Sequence, residues 1–337
     1  MGSEDPNRSP SNSHASSGPE RSSGPETNAD PDSRPRSPDD ADPDSRPRST
    51  DSAGTDGMTR ASVQRRLEDL IRENRFTIAV VFPAVGAVTL VASAEGLLPP
   101  LLSYNPFLIL FGTLVMRSPL VVTLLPEIDR RALALLGVLT AYTYAIEIVG
   151  VRTGWPYGTF EYGIRLGPMV GGEVPLALPL FFVPLVLNAF LLAILALGER
   201  AVRVVPRVLA AIAAVLAIDL VLDPAAVAIG FWTYVPPGDY YGVPASNYRG
   251  WLLSGAVAVV LVDLAFDRTA VLERVRACEF ALDDLVSFLV LWGTINALYG
   301  QWLPVGVAGL FCLVLLRTDR YDLETVRAAL PGVRDRR

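Results

Sequence analysis

The sequence predicts an all-α, polytopic membrane helix bundle of about eight transmembrane helices, preceded by a disordered N-terminal tail. Three observations predict it. Of the 337 residues, 51% are hydrophobic, although the first sixty hold almost no large apolar side chain; the share in the remainder exceeds that of a soluble domain. The apolar residues gather into eight stretches, most of them long enough to cross a hydrocarbon layer about 30 Å thick. The arginines alternate between the loops that join those stretches.

Residues 1–60 carry 12 acidic residues and 7 Arg among Ser, Pro and Gly. Such a segment cannot bury enough apolar surface to offset chain entropy, so disorder is expected. Two short repeats, Ser-Ser-Gly-Pro-Glu at 16–20 and 22–26 and Pro-Asp-Ser-Arg-Pro-Arg-Ser at 31–37 and 43–49, mark low complexity. No apolar core of a signal peptide is present in the tail. The expected organisation is a tail over 1–60, a transmembrane domain over 61–320 and a cytoplasmic C-terminal tail over 321–337.

The apolar stretches cover about 76–94, 105–125, 131–150, 175–197, 205–222, 250–266, 282–299 and 302–316. Arg117-Ser118-Pro119 interrupts the second, which predicts a kink or a re-entrant passage. The last is short and needs a thin or tilted passage. With the N-terminus in the cytoplasm, every inside loop carries Arg, from Arg60–Arg75 through Arg130 and Arg131, Arg200–Arg207 and Arg268–Arg276 to the C-terminal end. The outside loops hold only Arg152, Arg165 and Arg249. Eight spans keep this alternation and seven break it. A multi-pass protein of the cell membrane, surrounded by membrane lipid and with both termini cytoplasmic, is the expectation.

Composition also excludes. All 29 basic residues are Arg, against 35 acidic ones, and the net charge of −6 leaves no nucleic-acid footprint. Cys278 and Cys312 form no disulfide framework or metal spacing, and the single histidine, His14, sits in the tail. A His-ligated metal, a haem or a Ser-His-Asp triad is therefore not expected.

The chemistry gathers at the outer span ends. Asp219 and Asp223, four residues apart, share one helix face on the last turn of the fifth stretch. Glu147 closes the third. An ionisable group inside a membrane costs roughly 2.5–3.5 kcal/mol on insertion scales, so each implies a use. The loops that follow are dense in Gly, Pro and aromatics: Gly154-Trp155-Pro156-Tyr157 with Glu161 and Tyr162, then Trp232-Thr233-Tyr234, Tyr240-Tyr241, Asn247 and Trp251. Trp and Tyr also form interfacial belts, but a belt leaves the interleaved carboxylates and Asn247 unexplained. Arg117 and mid-span Asn188 read as structural partners between helices.

The string Glu147-x-x-Gly150-Val-x-Thr-Gly154-x-Pro-x-Gly158-x-x-x-Tyr162, then Asp219-x-x-x-Asp223-Pro224, Gly230-x-Trp232 and Tyr241-Gly242-x-Pro244-x-x-Asn247-x-x-Gly250-Trp251, resembles the CruF-type carotenoid hydratases. The resemblance covers about residues 76–318. It implies hydration of a trisubstituted C=C at the end of a long carotenoid, without a cofactor. In the haloarchaeal branch the implied substrate is a C50 carotenoid, bisanhydrobacterioruberin, hydrated at both terminal isopentenyl groups to bacterioruberin. Other carotenoid-biosynthesis enzymes are the expected partners.

The resemblance assigns no catalytic residues, so roles come from the chemistry. Acid hydration protonates the less substituted carbon and leaves a tertiary cation for water to attack. Burial and a neighbouring carboxylate both favour a protonated acid. Asp219 is the expected proton donor, with Asp223 or Glu147 activating water. Trp155, Tyr157, Trp232, Tyr234, Tyr240 and Trp251 are expected to stabilise the cation, Asn247 to orient the water, and Glu161, Tyr162 and Tyr241 to line the substrate site. The competing readings are an intramembrane prenyltransferase with Asp-held magnesium, a proton-coupled transporter and a non-catalytic carotenoid scaffold. Only the first two place the aspartates in chemistry.

Overall fold

The computed structural model describes residues 59–318. The expected C-terminal tail, and the expected disordered tail apart from Thr59 and Arg60, lie outside the described residues. All eight apolar stretches fall on helices. An amphipathic helix α1, Arg60–Glu73, comes first, its N-cap Thr59 accepting from the Ser62 amide. A π turn over Thr77–Val81 leads into α2, Phe82–Ala94. Then come α3 (Pro106–Leu124), α4 (Arg130–Thr153), α5 (Pro179–Leu197), α6 (Val204–Ala228) and α7 (Ala245–Ala265). A short polar helix α8, Arg268–Ala277, precedes α9 (Asp283–Leu298) and α10 (Trp302–Leu316).

Six of these segments, Thr77–Ala94, Pro106–Glu127, Arg130–Thr153, Pro179–Val202, Val204–Ala228 and Ala245–Ala265, are long and apolar enough to cross a membrane. The last two helices have 16 and 15 residues. At about 1.5 Å per residue they fall short of a 30 Å layer. By length and composition, then, six spans stand among the described residues where about eight were expected.

Helix α5 is the central column. Leu185 to Ile194 are all buried, whereas α3, α4 and α10 expose Phe107, Leu133 and Leu310, as lipid-facing helices do. Helix α6 packs against α5, α7, α9 and α10, so its face with Asp219 and Asp223 points into the bundle.

Two expectations about helix ends change, and proline chemistry explains both. A proline inside a helix frees the carbonyl four residues earlier. The re-entrant passage expected as one alternative at Arg117-Ser118-Pro119 does not occur: α3 runs through without turning back, and the Ser118 hydroxyl donates to the Val115 carbonyl at 2.6 Å. Helix α6 likewise continues past Pro224 to Ala228, with the Tyr240 hydroxyl donating to the freed Leu220 carbonyl at 3.3 Å. Pro184 in α5 frees Leu180, whose carbonyl accepts from Arg117 Nε at 3.3 Å. Asp219 and Asp223 therefore lie well inside a helix rather than on its last turn. The same holds for Glu147, because α4 extends to Thr153 before Gly154 caps it in the left-handed conformation.

The two aromatic loops meet. Strand β1 (Phe160–Tyr162) of the first pairs antiparallel with β4 (Trp232–Tyr234) of the second, Phe160 opposite Tyr234 and Tyr162 opposite Trp232. Between them in the chain, β2 (Met169–Val170) and β3 (Val174–Pro175) form a small hairpin. Gly163 abuts the Gly230 carbonyl so closely that a Cβ there has no room. Away from these loops, Asp263 pairs with Arg207 at 2.5 Å and Asp283 with Arg75 at 2.6 Å. Both aspartates stay apart from the Glu147, Asp219 and Asp223 cluster, as their positions in the sequence suggest.

Candidate active site

Beneath the paired loops lies a cavity of about 120 Å³. Its wall is mostly aromatic and aliphatic. Tyr157, Phe160 and Tyr162 come from the first loop, and Phe231, Trp232 and Tyr234 from the second. Helix α5 adds Phe181, Phe182 and Leu185, helix α7 adds Trp251, and helix α9 adds Phe288 and Trp292. Phe182 and Trp251 stack with centroids 5.1 Å apart and planes 17° apart.

Charged and amide groups interrupt this wall at four residues: Glu147, Asp223, Asn247 and Arg117. Asp219 and Asp223 are 0% and 2% exposed. The Asn247 amide, in the first turn of α7, bridges them: Nδ2 donates to Asp219 Oδ2 at 3.0 Å and to Asp223 Oδ2. Tyr234 also donates to Asp223 Oδ2, at 3.1 Å. The other oxygen of Asp219, Oδ1, is buried without a hydrogen-bond partner among the described residues. Asp223 faces the cavity, and Asp219 stands one helical turn behind it, coupled through the shared amide.

Glu147 reaches the same cavity from α4 and accepts a hydrogen bond from the Tyr162 hydroxyl. Burial and the Glu147 carboxylate push the Tyr162 phenol well above its ordinary range. Burial and the Asp223 carboxylate do the same to Tyr234. Both phenols stay protonated near neutrality and act as fixed donors that orient the carboxylates.

Nine of the thirteen residues singled out from the sequence meet at this point: Glu147, Asp219, Asp223, Tyr157, Tyr162, Trp232, Tyr234, Asn247 and Trp251. The other four are placed elsewhere. Trp155 follows the Gly154 cap and is 57% exposed. Glu161 lies between Phe160 and Tyr162 on β1 and points to the opposite, exposed side, as strand alternation requires. Tyr240 bonds the Leu220 carbonyl, and Tyr241 sets its ring edge-on to Tyr240 at 5.1 Å. Tyr240 thus packs on α6, the Tyr241 hydroxyl accepts from the Leu303 amide of α10 at 3.5 Å, and neither is among the cavity-lining residues.

The sequence reading missed Phe160, Phe181, Phe182, Phe231, Phe288 and Trp292. Phe288 and Trp292 carry the one usable signal, an i, i+4 aromatic pair on one helix face. Arg117 was read as structural, and it does hold α5 and α9 together. It also forms part of the cavity wall.

Comparison with known proteins follows the same lines. Residues 104–315 match the family model described as carotenoid biosynthesis protein. Over 266 residues, 79% of this chain and 90% of the relative, the sequence is 58% identical to the bisanhydrobacterioruberin hydratase of Haloarcula japonica. No solved structure matches. The chain belongs to the carotenoid biosynthesis protein family, in its branch of CruF-type carotenoid hydratases.

Proposed function

We propose that this protein hydrates the terminal trisubstituted C=C bonds of a C50 carotenoid, converting bisanhydrobacterioruberin to bacterioruberin. One observation carries the reading: a largely apolar, aromatic-walled cavity into which an interior carboxyl, Asp223, is aimed with a second, Asp219, bridged behind it. The end group enters the cavity with its alkene against Asp223. The Asp219/Asp223 pair holds the proton, since two carboxylates joined by one amide resist double ionisation. Asp223, the member that faces the cavity, delivers it to the less substituted carbon. Asp219, the donor expected from the sequence, serves as the proton-holding partner one turn behind.

Protonation converts the π bond into a new C–H bond and leaves a tertiary cation. The faces of Trp232, Trp251 and Tyr157 stabilise it, each by roughly 0.5–2 kcal/mol. Glu147, fixed by Tyr162, takes a proton from the attacking water as its oxygen bonds to the cation. Glu147 then releases its proton to solvent while the carboxyl pair takes one up, so the net change is one water per end. The reaction is redox-neutral, so no redox cofactor is needed. A magnesium–diphosphate site fits the donor set poorly. The facing oxygens of Asp219 and Asp223 already accept from Asn247, and Tyr234 adds a further donor on Asp223.

Expression in a host that accumulates the unhydrated carotenoid, followed by mass analysis of the pigment, tests this. The expected product gains about 18 mass units, one water, at each end. Pigment of unchanged mass in the presence of inserted protein defeats the hydratase reading.

The arginine alternation supports a multi-pass arrangement of about eight spans, with both termini cytoplasmic and the paired loops outside. α9 and α10 then cross locally thinned or protein-filled layers. With exposed Cys312 replaced by Ser, Arg165→Cys and Asp239→Cys are expected to react with an impermeant maleimide from outside, and Thr269→Cys only after permeabilisation. Labelling of Thr269→Cys in intact cells reverses the orientation. The N-terminal tail is expected to be dispensable. A chain starting at Met58 keeps the Thr59 cap of α1 and is expected to insert and hydrate like the full chain; inserted but inactive protein gives the tail a role in the reaction.

A further inference from the structure

Arg117 is the one feature of the cavity that the hydration chemistry leaves unused. It sits inside the second span, and its side chain is 12% exposed. Nη1 bonds Asp284 Oδ1 at 2.5 Å, and Nε bonds the Leu180 carbonyl at 3.3 Å. Asp284 is fully buried and also accepts from Asn188 Nδ2 at 2.6 Å. The charge is thus neutralised within the bundle. Neutralisation does not require the guanidinium to face a cavity built for a hydrocarbon, yet Arg117 forms part of that wall. Its Nη2 amino group has no hydrogen-bond partner among the described residues.

A second donor in the same wall also makes no hydrogen bond, and this one is fully buried. It is the indole Nε1 of Trp232, buried without a hydrogen-bond partner among the described residues. Buried donors are costly to leave unpaired. An arginine inside a membrane span is costly as well and marks a substrate path more often than a scaffold. Two donors, a neutralised cation and an otherwise apolar surround call for a neutral oxygen acceptor. A carboxylate or phosphate ligand would compete with Asp284 and leave excess negative charge in the bundle. The cavity is only about 120 Å³, so the acceptor must belong to the same end group as the reacting alkene.

We propose that Arg117, backed by Asp284 and Asn188, binds a hydroxyl oxygen on the carotenoid end group and makes the enzyme selective for end groups that already carry oxygen near the alkene. This rests on the hydratase reading above. Arg117 acts here on substrate choice and register, not on the proton transfer.

The test uses membranes containing the full chain and two acyclic carotenoids that differ only in a hydroxyl a few carbons from the terminal alkene. Loss of one charge-assisted hydrogen bond corresponds to roughly 10- to 100-fold. The wild type is therefore expected to favour the hydroxylated carotenoid by that ratio of kcat/KM. Arg117→Lys, which keeps the charge but not the planar fork, and the paired neutral variant Arg117→Gln/Asp284→Asn, which leaves no lone buried charge, are both expected to bring the ratio below about threefold. A structural role alone changes membrane abundance and leaves the ratio intact. Parity of the two substrates in the wild type overturns the inference without any variant, and an unchanged ratio in both variants overturns it too. Hydration of neither carotenoid by the wild type removes the hydratase reading and this inference with it.

Discussion

Asp223→Asn is expected to lower carotenoid hydration roughly 10²- to 10⁴-fold, the usual worth of a general acid, at unchanged membrane abundance. Asparagine keeps the shape of the side chain and leaves an oxygen for Asn247 and Tyr234 to bond, so the loss isolates the missing proton. Asp219→Asn is expected to fall in the same range, because a lone Asp223 no longer shares a proton with a second carboxylate. Glu147→Gln retains an acceptor for Tyr162 but cannot take a proton from water, and the unhydrated pigment is again expected to accumulate. The appropriate controls are Glu161→Gln and Asp239→Asn, exposed carboxylates of the same two loops. Asp263→Asn is a poor control. Its carboxylate neutralises Arg207, which is 2% exposed, and an uncompensated buried charge costs about 3–5 kcal/mol. Near-normal hydration by Asp223→Asn removes it as the acid. If Asp219→Asn alone stays active, the proton resides on Asp223 without help from its neighbour.

The candidate site was legible from the sequence where a polar residue stood out against an apolar background. Glu147, Asp219 and Asp223 are conspicuous because the membrane makes each of them expensive. Asn247 and the loop aromatics follow because Gly and Pro mark the loops that carry them. What stayed hidden falls into two kinds. Phe181 and Phe182 line the cavity but look like any lipid-facing residue, since an apolar side chain in a membrane helix does not reveal whether it faces lipid, protein or substrate. Glu161 was misplaced because a three-residue strand is too short to show its alternation.

The helix ends failed for a different reason. Pro119, Pro184 and Pro224 are local break signals, and each is overridden. Ser118 satisfies one freed carbonyl from its own turn, but the others need Arg117 from α3 and Tyr240 from a distant loop. These two partners are non-local, so no window of sequence contains the answer. The consequence for function is large. Because α6 runs past Pro224 to Ala228, Asp219 and Asp223 sit in the dry interior instead of at a solvated span end. Tyr240, which is not among the cavity-lining residues, therefore helps to determine where the two aspartates lie.

The close approach of the first loop to α7 gives the second large effect. Gly250 faces the Tyr157 ring, and a Cβ there overlaps Tyr157 Cδ1 and comes within 3.0 Å of the backbone carbon of Pro156. Rotating a side chain cannot relieve the backbone contact, so Gly250→Ala must push the loop away from α7. That loop carries Phe160 and Tyr162 on β1, and β1 is paired with β4, which carries Tyr234. Tyr162 holds Glu147 and Tyr234 holds Asp223, so one methyl group displaces the orienting donors of two carboxylates at once. Overpacking of this kind costs about 1–3 kcal/mol, which a bundle of this size tolerates. Misplacement of reacting groups by about 1 Å costs roughly 10²-fold in rate. Gly250→Ala is accordingly expected to insert normally, keep its helical circular dichroism and lose about two orders of magnitude in hydration. Gly112→Ala in α3, where a Cβ meets nothing within 4 Å, is expected to behave as wild type. Full activity in Gly250→Ala means that the first loop does not set the position of Glu147 and Asp223, and the orienting roles of Tyr162 and Tyr234 go with it.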